Sequence, residues 1–287
     1  MSLIKNLFTE NPMMIEITRF RRKFLSGRGT SLNSVIVAMC GLIYMGIVAL
    51  VWTYREAANP IILIFLQTGI FTLVAPAMLH GSIAGERERR SWDFLLVAPV
   101  THAQIVCGKF MGAASAIFAT ALVFLLPLGI GVGFYQTYYY DPTGSSGSGG
   151  VNVWNLFQAE MLSITWALFV CAMTIFFSAR CKRGFIALGT TLAFLIAGLI
   201  VWPILIASAG LFGQETHLLN FFHPFWALTQ IEAVNMGRDD MMGWRSLYGF
   251  PQAFIYFGLT AVFLAWTERT LRFADNEVKF LPKKKDA

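Results

Sequence analysis

The side chains best suited to chemistry are concentrated in one stretch, residues 85–101, between two long segments that contain no charge. Its charged residues are Glu86, Arg87, Glu88, Arg89, Arg90 and Asp93. The residues that follow them form an apolar ridge and a turn, and include Phe94, Leu95, Leu96, Pro99 and Thr101. A charged, structured element between two apolar segments is well placed to receive a push from a soluble partner. Residues 85–101 therefore predict a contact with another protein.

The same stretch has the pattern of a helix, a tight turn and a second helix. Residues 86–97 can form a helix, because acidic side chains stand in its first turn, where the helix dipole favours them. Pro99 ends that helix. Thr101 and Gln104 have capping-box spacing, which predicts the start of the next helix. The alternative is a solvated charged loop, which the capped turn and the apolar ridge disfavour.

The rest of the chain contains no enzyme motif. The only Gly-Lys pair, Gly108-Lys109, cannot belong to a phosphate-binding loop, because Ala103 and Phe110 replace its required glycine and hydroxyl residue. The histidines are scattered without metal-ligand spacing, at His80, His102, His217 and His223. The cysteines fit no metal or disulfide pattern, at Cys40, Cys107, Cys171 and Cys181. We therefore expect no catalytic residue, no metal ion and no cofactor bound by this chain.

The composition indicates that these residues are positioned by a membrane protein. Of the 287 residues, 56% are hydrophobic and 13% are charged, and the mean hydropathy is +0.60. Soluble domains carry about 25% charged residues. Crossing a bilayer takes about 20 apolar residues in a helix. Runs of that length predict six spans, near 32–54, 59–80, 106–134, 155–178, 184–210 and 249–267.

Glu160 is the only acidic residue within a predicted span. Ionisable groups at membrane depth are functional hypotheses by default, so Glu160 is a candidate intramembrane polar site. It lies near the outer end of its span, within reach of lipid headgroups. An interfacial or structural role is therefore the alternative, and it is the one that the position favours.

The distribution of Lys and Arg predicts the orientation. All but three of the 22 lie in the two terminal segments and in the second and fourth loops, the exceptions being Arg55, Arg238 and Arg245. The positive-inside rule then places both termini in the cytoplasm, in a multi-pass protein of the cytoplasmic (inner) membrane. Anionic lipid headgroups, rather than nucleic acid, account for the net charge of +6. No signal-peptide pattern is visible.

Two further helices are predicted outside the spans. Asn11-Pro12 has the pattern of a capped helix start, and apolar residues then recur at spacings of four, three and four. This predicts an amphipathic helix over 11–26 in the inner interface, with a solvated charged arm as the alternative. Near the other end, an apolar segment too short to span predicts a short outer or re-entrant helix over about 222–236, which Pro224 can start.

Prolines interrupt three of the predicted spans, at Pro76, Pro127 and Pro203. Membrane helices tolerate proline where neighbouring groups satisfy the freed carbonyls. Each of these prolines is expected to kink its helix, which by itself does not identify a transporter.

The charged stretch resembles the cytoplasmic loop of type-2 ATP-binding cassette (ABC) transporter permeases. The matching residues are Gly85-Glu86-Arg87-Glu88, Ser91, Asp93, Leu95-Leu96, Pro99, Thr101, Ile105 and Gly108-Lys109. The resemblance extends over nearly the whole chain, including the amphipathic helix, the six spans and the short outer helix. One departure is mild, since members of the family commonly have Gly-Thr where this chain has Arg90-Ser91.

The resemblance implies an all-α membrane protein, with residues 1–287 forming a single transmembrane permease domain. Its loop 85–104 would carry a coupling helix that sits in a groove of an ATPase subunit on a separate chain. The apolar docking contacts would be Phe94, Leu95 and Leu96, beside Pro99. The polar contacts would be Glu86, Glu88, Arg89 and Asp93.

The family further implies an exporter in which ATP and Mg²⁺ bind the partner ATPase. Two permease halves, a second copy or a paralogue, would form a dimer with the path lined mainly by spans two and five. The competing interpretation is a stand-alone secondary transporter or channel, which usually has polar coupling sites near the midplane. A membrane-embedded enzyme is a third, weakened by the lack of clustered His, Asp or Glu at membrane depth.

Overall fold

A computed structural model describes residues 11–14, 39, 41–46, 49, 60–92, 100–139, 153–209, 219–235 and 248–280. Every regular element within these ranges is helical, and none is a strand, which confirms the all-α class for the described residues. Most of the predicted helix 11–26 lies outside them. So do five of the predicted docking residues, namely Asp93, Phe94, Leu95, Leu96 and Pro99.

The bounds of eight α-helices are described. They are α1 (Pro60–Leu79), α2 (Ala84–Glu88), α3 (His102–Tyr139), α4 (Val153–Arg180), α5 (Gly184–Ile196), α6 (Trp202–Ser208), α7 (Pro224–Asn235) and α8 (Phe250–Phe280). A 3₁₀ turn covers Pro12–Met14, and a π-helical segment, Ala197–Val201, joins α5 to α6. The predicted short helix over about 222–236 corresponds to α7.

Five stretches of the described residues are long and apolar enough to cross a membrane. They are Ile61–Glu88, His102–Leu125, Val153–Arg180, Gly184–Ser208 and Phe250–Phe273. They correspond to the second to sixth predicted spans. The first predicted span, 32–54, is described only at 39, 41–46 and 49, with 41–46 helical. A multi-pass protein is thus supported, while the count of six spans stays a prediction.

Helix α4 forms the centre of the bundle. It packs against α1, α3, α5, α7 and α8. In the 18-residue apolar stretch of α4, 83% of the residues are buried. The corresponding shares are 22% in Gly184–Ser208 and 28% in Phe250–Phe273. Small residues such as Ala159, Ser163, Ala167 and Ala172 permit this, because they let neighbouring backbones approach closely. The surrounding helices can therefore be positioned relative to one another through α4.

The backbone differs at the three prolines that lie within predicted spans. Helix α1 continues past Pro76 to Leu79, and α3 runs through Pro127 to Tyr139. Pro203, in contrast, stands in the first turn of α6, directly after the π-helical segment Ala197–Val201. A π-helical insertion is uncommon and shifts the hydrogen-bond register of the helix. The backbone irregularity in the described spans is therefore at Pro203.

Candidate functional site

The turn between α1 and α2 is bound to the end of α4 by one hydroxyl group. Ser178 Oγ accepts hydrogen bonds from the backbone N–H groups of Ile83 and Ala84, both at 3.0 Å, and donates to the His80 carbonyl at 2.8 Å. The first N–H groups of a helix have no partner within that helix. A fully buried serine from α4 therefore supplies what the start of α2 lacks.

Arg87 makes a second connection between α2 and α4. Its Nη1 atom donates to the Ala179 carbonyl at 2.6 Å, and its guanidinium carbon lies 5.4 Å from the centre of the Trp92 ring. Carbonyls in the last turn of a helix carry partial negative charge and lack an intrahelical donor. Arg87 satisfies one of them and stacks on the buried Trp92 at the same time.

An ion pair connects α2 to α3. Lys109 Nζ lies 2.7 Å from Glu86 Oε1, and the two side chains are 6% and 23% exposed, respectively. The second carboxylate oxygen, Glu86 Oε2, is buried and has no hydrogen-bond partner among the described residues. Both residues belong to the pattern that the sequence resemblance selected, but the sequence did not predict that they pair with each other.

Glu88 connects the loop to α5. Its Oε1 atom accepts a hydrogen bond at 2.9 Å from the backbone N–H of Gly184, the first residue of α5. A carboxylate at a helix N-terminus is favoured by the helix dipole. Arg89, the remaining described member of the predicted docking set, is exposed. The loop is thus bonded to α3, α4 and α5.

Helix α2 ends in a motif that requires a left-handed backbone conformation at one residue. Ser91 N donates to the Glu86 carbonyl at 3.0 Å, and Arg90 N donates to the Arg87 carbonyl at 3.1 Å. These are the two bonds of a Schellman motif, which places one residue in the left-handed region. That residue is Arg90, with φ of 55°. Glycine adopts this conformation without steric cost, whereas arginine does not.

The predicted capping box at the start of α3 is confirmed. Thr101 N donates to Gln104 Oε1 at 2.9 Å, and Gln104 N donates to Thr101 Oγ1 at 3.3 Å. Helix α3 begins at the next residue, His102. The box fixes where the loop ends and the third predicted span begins.

The 3₁₀ turn at 12–14 packs against the beginning of α3. Asn11 Nδ2 donates to the Gln104 carbonyl at 3.0 Å, and Asn11 Oδ1 accepts from Met13 N at 2.9 Å. The second bond confirms the predicted cap at Asn11. Gly108 allows the close approach, because a Cβ atom there would lie 2.4 Å from the Met13 Cβ.

Glu160 lies in a row of polar contacts between α1 and α4. Its Oε1 atom accepts a hydrogen bond from Gln67 Nε2 at 2.7 Å, and its Oε2 atom is buried without a hydrogen-bond partner among the described residues. The next two rungs are Thr68 with Ser163 at 3.0 Å and Trp166 with Thr72 at 2.8 Å. This carboxyl therefore faces a neighbouring helix and contributes to the α1–α4 interface.

A family model described as "ABC-2 family transporter protein" matches residues 30–278 of the chain. The match includes α1 to α7 and all but the last two residues of α8. No curated protein sequence matches the chain.

Proposed function

Because the chain belongs to the ABC-2 family of transporter proteins, whose model matches residues 30–278, we propose that it is the permease subunit of an exporter. Its cargo would move with ATP hydrolysed by a separate nucleotide-binding subunit, which binds the ATP and Mg²⁺. The observation that carries this proposal is the set of bonds between the loop and three long helices. Those bonds give a partner that pushes on the loop a direct mechanical connection to the spans.

The bonds from the loop end on three different helices. Glu86 is paired with α3 through Lys109, and Glu88 is bonded to the first amide of α5 at Gly184. The turn before α2 is bonded to α4 through Ser178. Displacement of α2 would therefore move the near ends of α3, α4 and α5 together, because several short bonds must be kept or broken at once.

The docking surface itself is proposed from the sequence resemblance. Phe94, Leu95 and Leu96 would enter the groove of the ATPase subunit, and Asp93 would pair with a polar group beside it. Glu86 and Glu88 already bind within the chain, so their contribution to docking would come from positioning the loop. Arg89 is exposed and available to an acidic group of the partner.

The proposal also specifies the orientation of the permease in the membrane and its pairing with a second half. Both termini and the loop would face the cytoplasm, and two permease halves would meet in the inner membrane, surrounded by lipid. The cargo path would be lined mainly by α1 and by α5 with α6. The stretch Gly184–Ser208 leaves apolar side chains exposed, among them Phe194, Ile200 and Leu205. Such a surface suits either lipid tails or a second permease half.

The decisive experiment is reconstitution with a nucleotide-binding ATPase subunit, sought first among the genes next to this one. We expect the two chains to co-purify and to show ATPase activity that depends on the permease. Leu95→Asp should abolish assembly because it puts a charge into the apolar ridge, whereas the control Leu95→Met keeps the ridge apolar and should assemble. Failure of the native chain to recruit any ATPase would reject the proposal in favour of a stand-alone transporter or channel.

A further inference from the structure

Pro203 leaves a backbone carbonyl in the fifth predicted span without its helical donor. In a regular helix the N–H of residue 203 would bond to the Leu199 carbonyl, but proline has no N–H. The π-helical segment Ala197–Val201 lies at this point. The Leu199 carbonyl is instead 3.1 Å from His223 Nε2, in the turn before α7. A side chain from a different element therefore occupies the place of the missing donor.

The second ring nitrogen of His223 defines the protonation state that this arrangement requires. Trp226 N donates a hydrogen bond to His223 Nδ1 at 3.0 Å, and a backbone N–H can only donate. Nδ1 must therefore be the unprotonated acceptor, and Nε2 must carry the hydrogen that Leu199 accepts. Only the neutral Nε2–H tautomer satisfies both bonds. A proton added to Nδ1 would face the Trp226 N–H and break the cap of α7.

Two other side chains hold the same turn. Trp202 Nε1 donates to the Leu219 carbonyl at 3.2 Å, and Tyr256 Oη donates to the Phe222 carbonyl at 2.6 Å. Residues 219–223 are thus held between the Pro203 irregularity and α8. Beside them lies a cleft of about 200 Å³, which Phe65 of α1, Pro203 and Trp226 help to line. The cleft joins the two elements, α1 and α6, that the proposed function assigns to the cargo path.

No charged side chain among the described residues lining the cleft sets the protonation state of His223, which therefore depends on the pH of the surrounding solution. Among the described residues, those that line the cleft include no acid and no other base. Glu232 lies nine residues further along α7, and Tyr256 of α8 is bonded to Phe222. The acid on α4, Glu160, is bonded to Gln67. Burial lowers the pKa of His223 below its usual value, and the bond to the Leu199 carbonyl opposes that change.

We propose that His223 is a positioning residue of the transport path, which in its neutral form caps α7 beside the Pro203 irregularity and loses that cap when it is protonated. Because α7 would face the outside in the proposed orientation, acid outside the cell would open this end of the permease. The proposal uses the proposed function to assign the path and the side, but the contact itself can be tested without the ATPase.

Hydrogen exchange of the full-length protein in lipid nanodiscs, followed as a function of pH, is the direct test. After correction for intrinsic exchange, we expect the protection of the amides in the first turn of α7 to fall about tenfold between about pH 7.5 and 5, as one or two hydrogen bonds are lost. Histidine ¹⁵N chemical shifts at pH 7.5 should show a protonated Nε2 and an unprotonated Nδ1. The reverse tautomer, or protection that does not change with pH, would overturn the proposal.

Substitutions at His223 distinguish a positioning role of its side chain from a general loss of stability. In His223→Asn the side-chain oxygen can still accept from Trp226 N but does not titrate, so the first turn of α7 should stay protected at both pH values. His223→Ala should lose protection at both. His80→Gln is the matched control, because His80 bonds within its own turn to the Ala77 carbonyl, and it should keep the native pH response. A pH response that persists in His223→Asn would refute the assignment, whether or not the chain recruits an ATPase.

Discussion

Lys109 and Glu86 form an ion pair in which Nζ and Oε1 lie 2.7 Å apart, and this pair joins α2 to the long helix α3. The lysine is almost fully buried, whereas the glutamate keeps some contact with solvent. A partly buried pair of this kind is costly to break from one side, because the remaining charge loses its partner without regaining full hydration. The pair is therefore a sensitive point at which to test the connection between the loop and the spans.

Lys109→Met should destabilise the protein by about 2 kcal/mol or more, since Glu86 would keep its charge without a counter-ion. Unfolding of the purified chain by denaturing detergent measures this change. The matched control is Arg272→Met, which breaks the exposed i,i+4 pair with Glu268 and should cost less than about 0.5 kcal/mol. Equal effects of the two substitutions would mean that burial of the Glu86–Lys109 pair does not matter.

Ser178→Ala should cost about 2–4 kcal/mol, because it leaves the amides of Ile83 and Ala84 without an acceptor in a buried place. The same unfolding assay applies. Ser115→Ala is the control, since Ser115 Oγ donates only to Gly112 of its own helix, and should change stability by less than about 0.5 kcal/mol. In the reconstituted complex, Ser178→Ala should also reduce the ATPase activity that depends on the permease.

Arg90→Gly should raise stability by about 0.5–1 kcal/mol, because glycine removes the steric cost of the left-handed conformation at φ of 55°. The neighbouring substitution Arg89→Gly is the control. Arg89 has φ of −85°, so glycine there relieves no strain and should lower stability by about 0.5 kcal/mol. Opposite signs at adjacent arginines are the expected result, and a loss of stability at both positions would contradict the Schellman assignment.

Gly108→Ala should detach the 3₁₀ turn from α3, since the new Cβ would lie 2.4 Å from Met13 Cβ and 2.9 Å from the Met13 carbonyl oxygen. Protease cleavage near residues 11–14 should become faster. Gly189→Ala provides the comparison, because, apart from its own helix backbone, no atom of the described residues lies within 4 Å of the position of its Cβ. Alanine there should stabilise α5 by about 0.5–1 kcal/mol. Unchanged cleavage of Gly108→Ala would show that the contact with Met13 is dispensable.

Features that depend only on residues close together in the sequence could be predicted from it. Apolar runs of about 20 residues have few alternatives to a membrane helix, so the predicted span 155–178 and the observed Val153–Arg180 agree closely. The capping box of Thr101 and Gln104 was likewise predicted, because its two bonds join residues only three positions apart. A proline inside a span predicted a kink. At Pro203 a π-helical segment precedes the proline, whereas α1 and α3 continue as helices past theirs, and the kinks themselves stay predictions.

By itself, the amino-acid sequence determined the helical class, the approximate membrane segments and the pattern that indicated the transporter family. Only the tertiary structure decided which polar groups meet. Lys109 pairs with Glu86 across 23 positions, His223 bonds to Leu199 across 24, and Ser178 reaches Ile83 across 95. Such partners cannot be predicted from one sequence, because a hydrogen bond requires atoms within about 3 Å, and only packing around α4 brings distant turns that close.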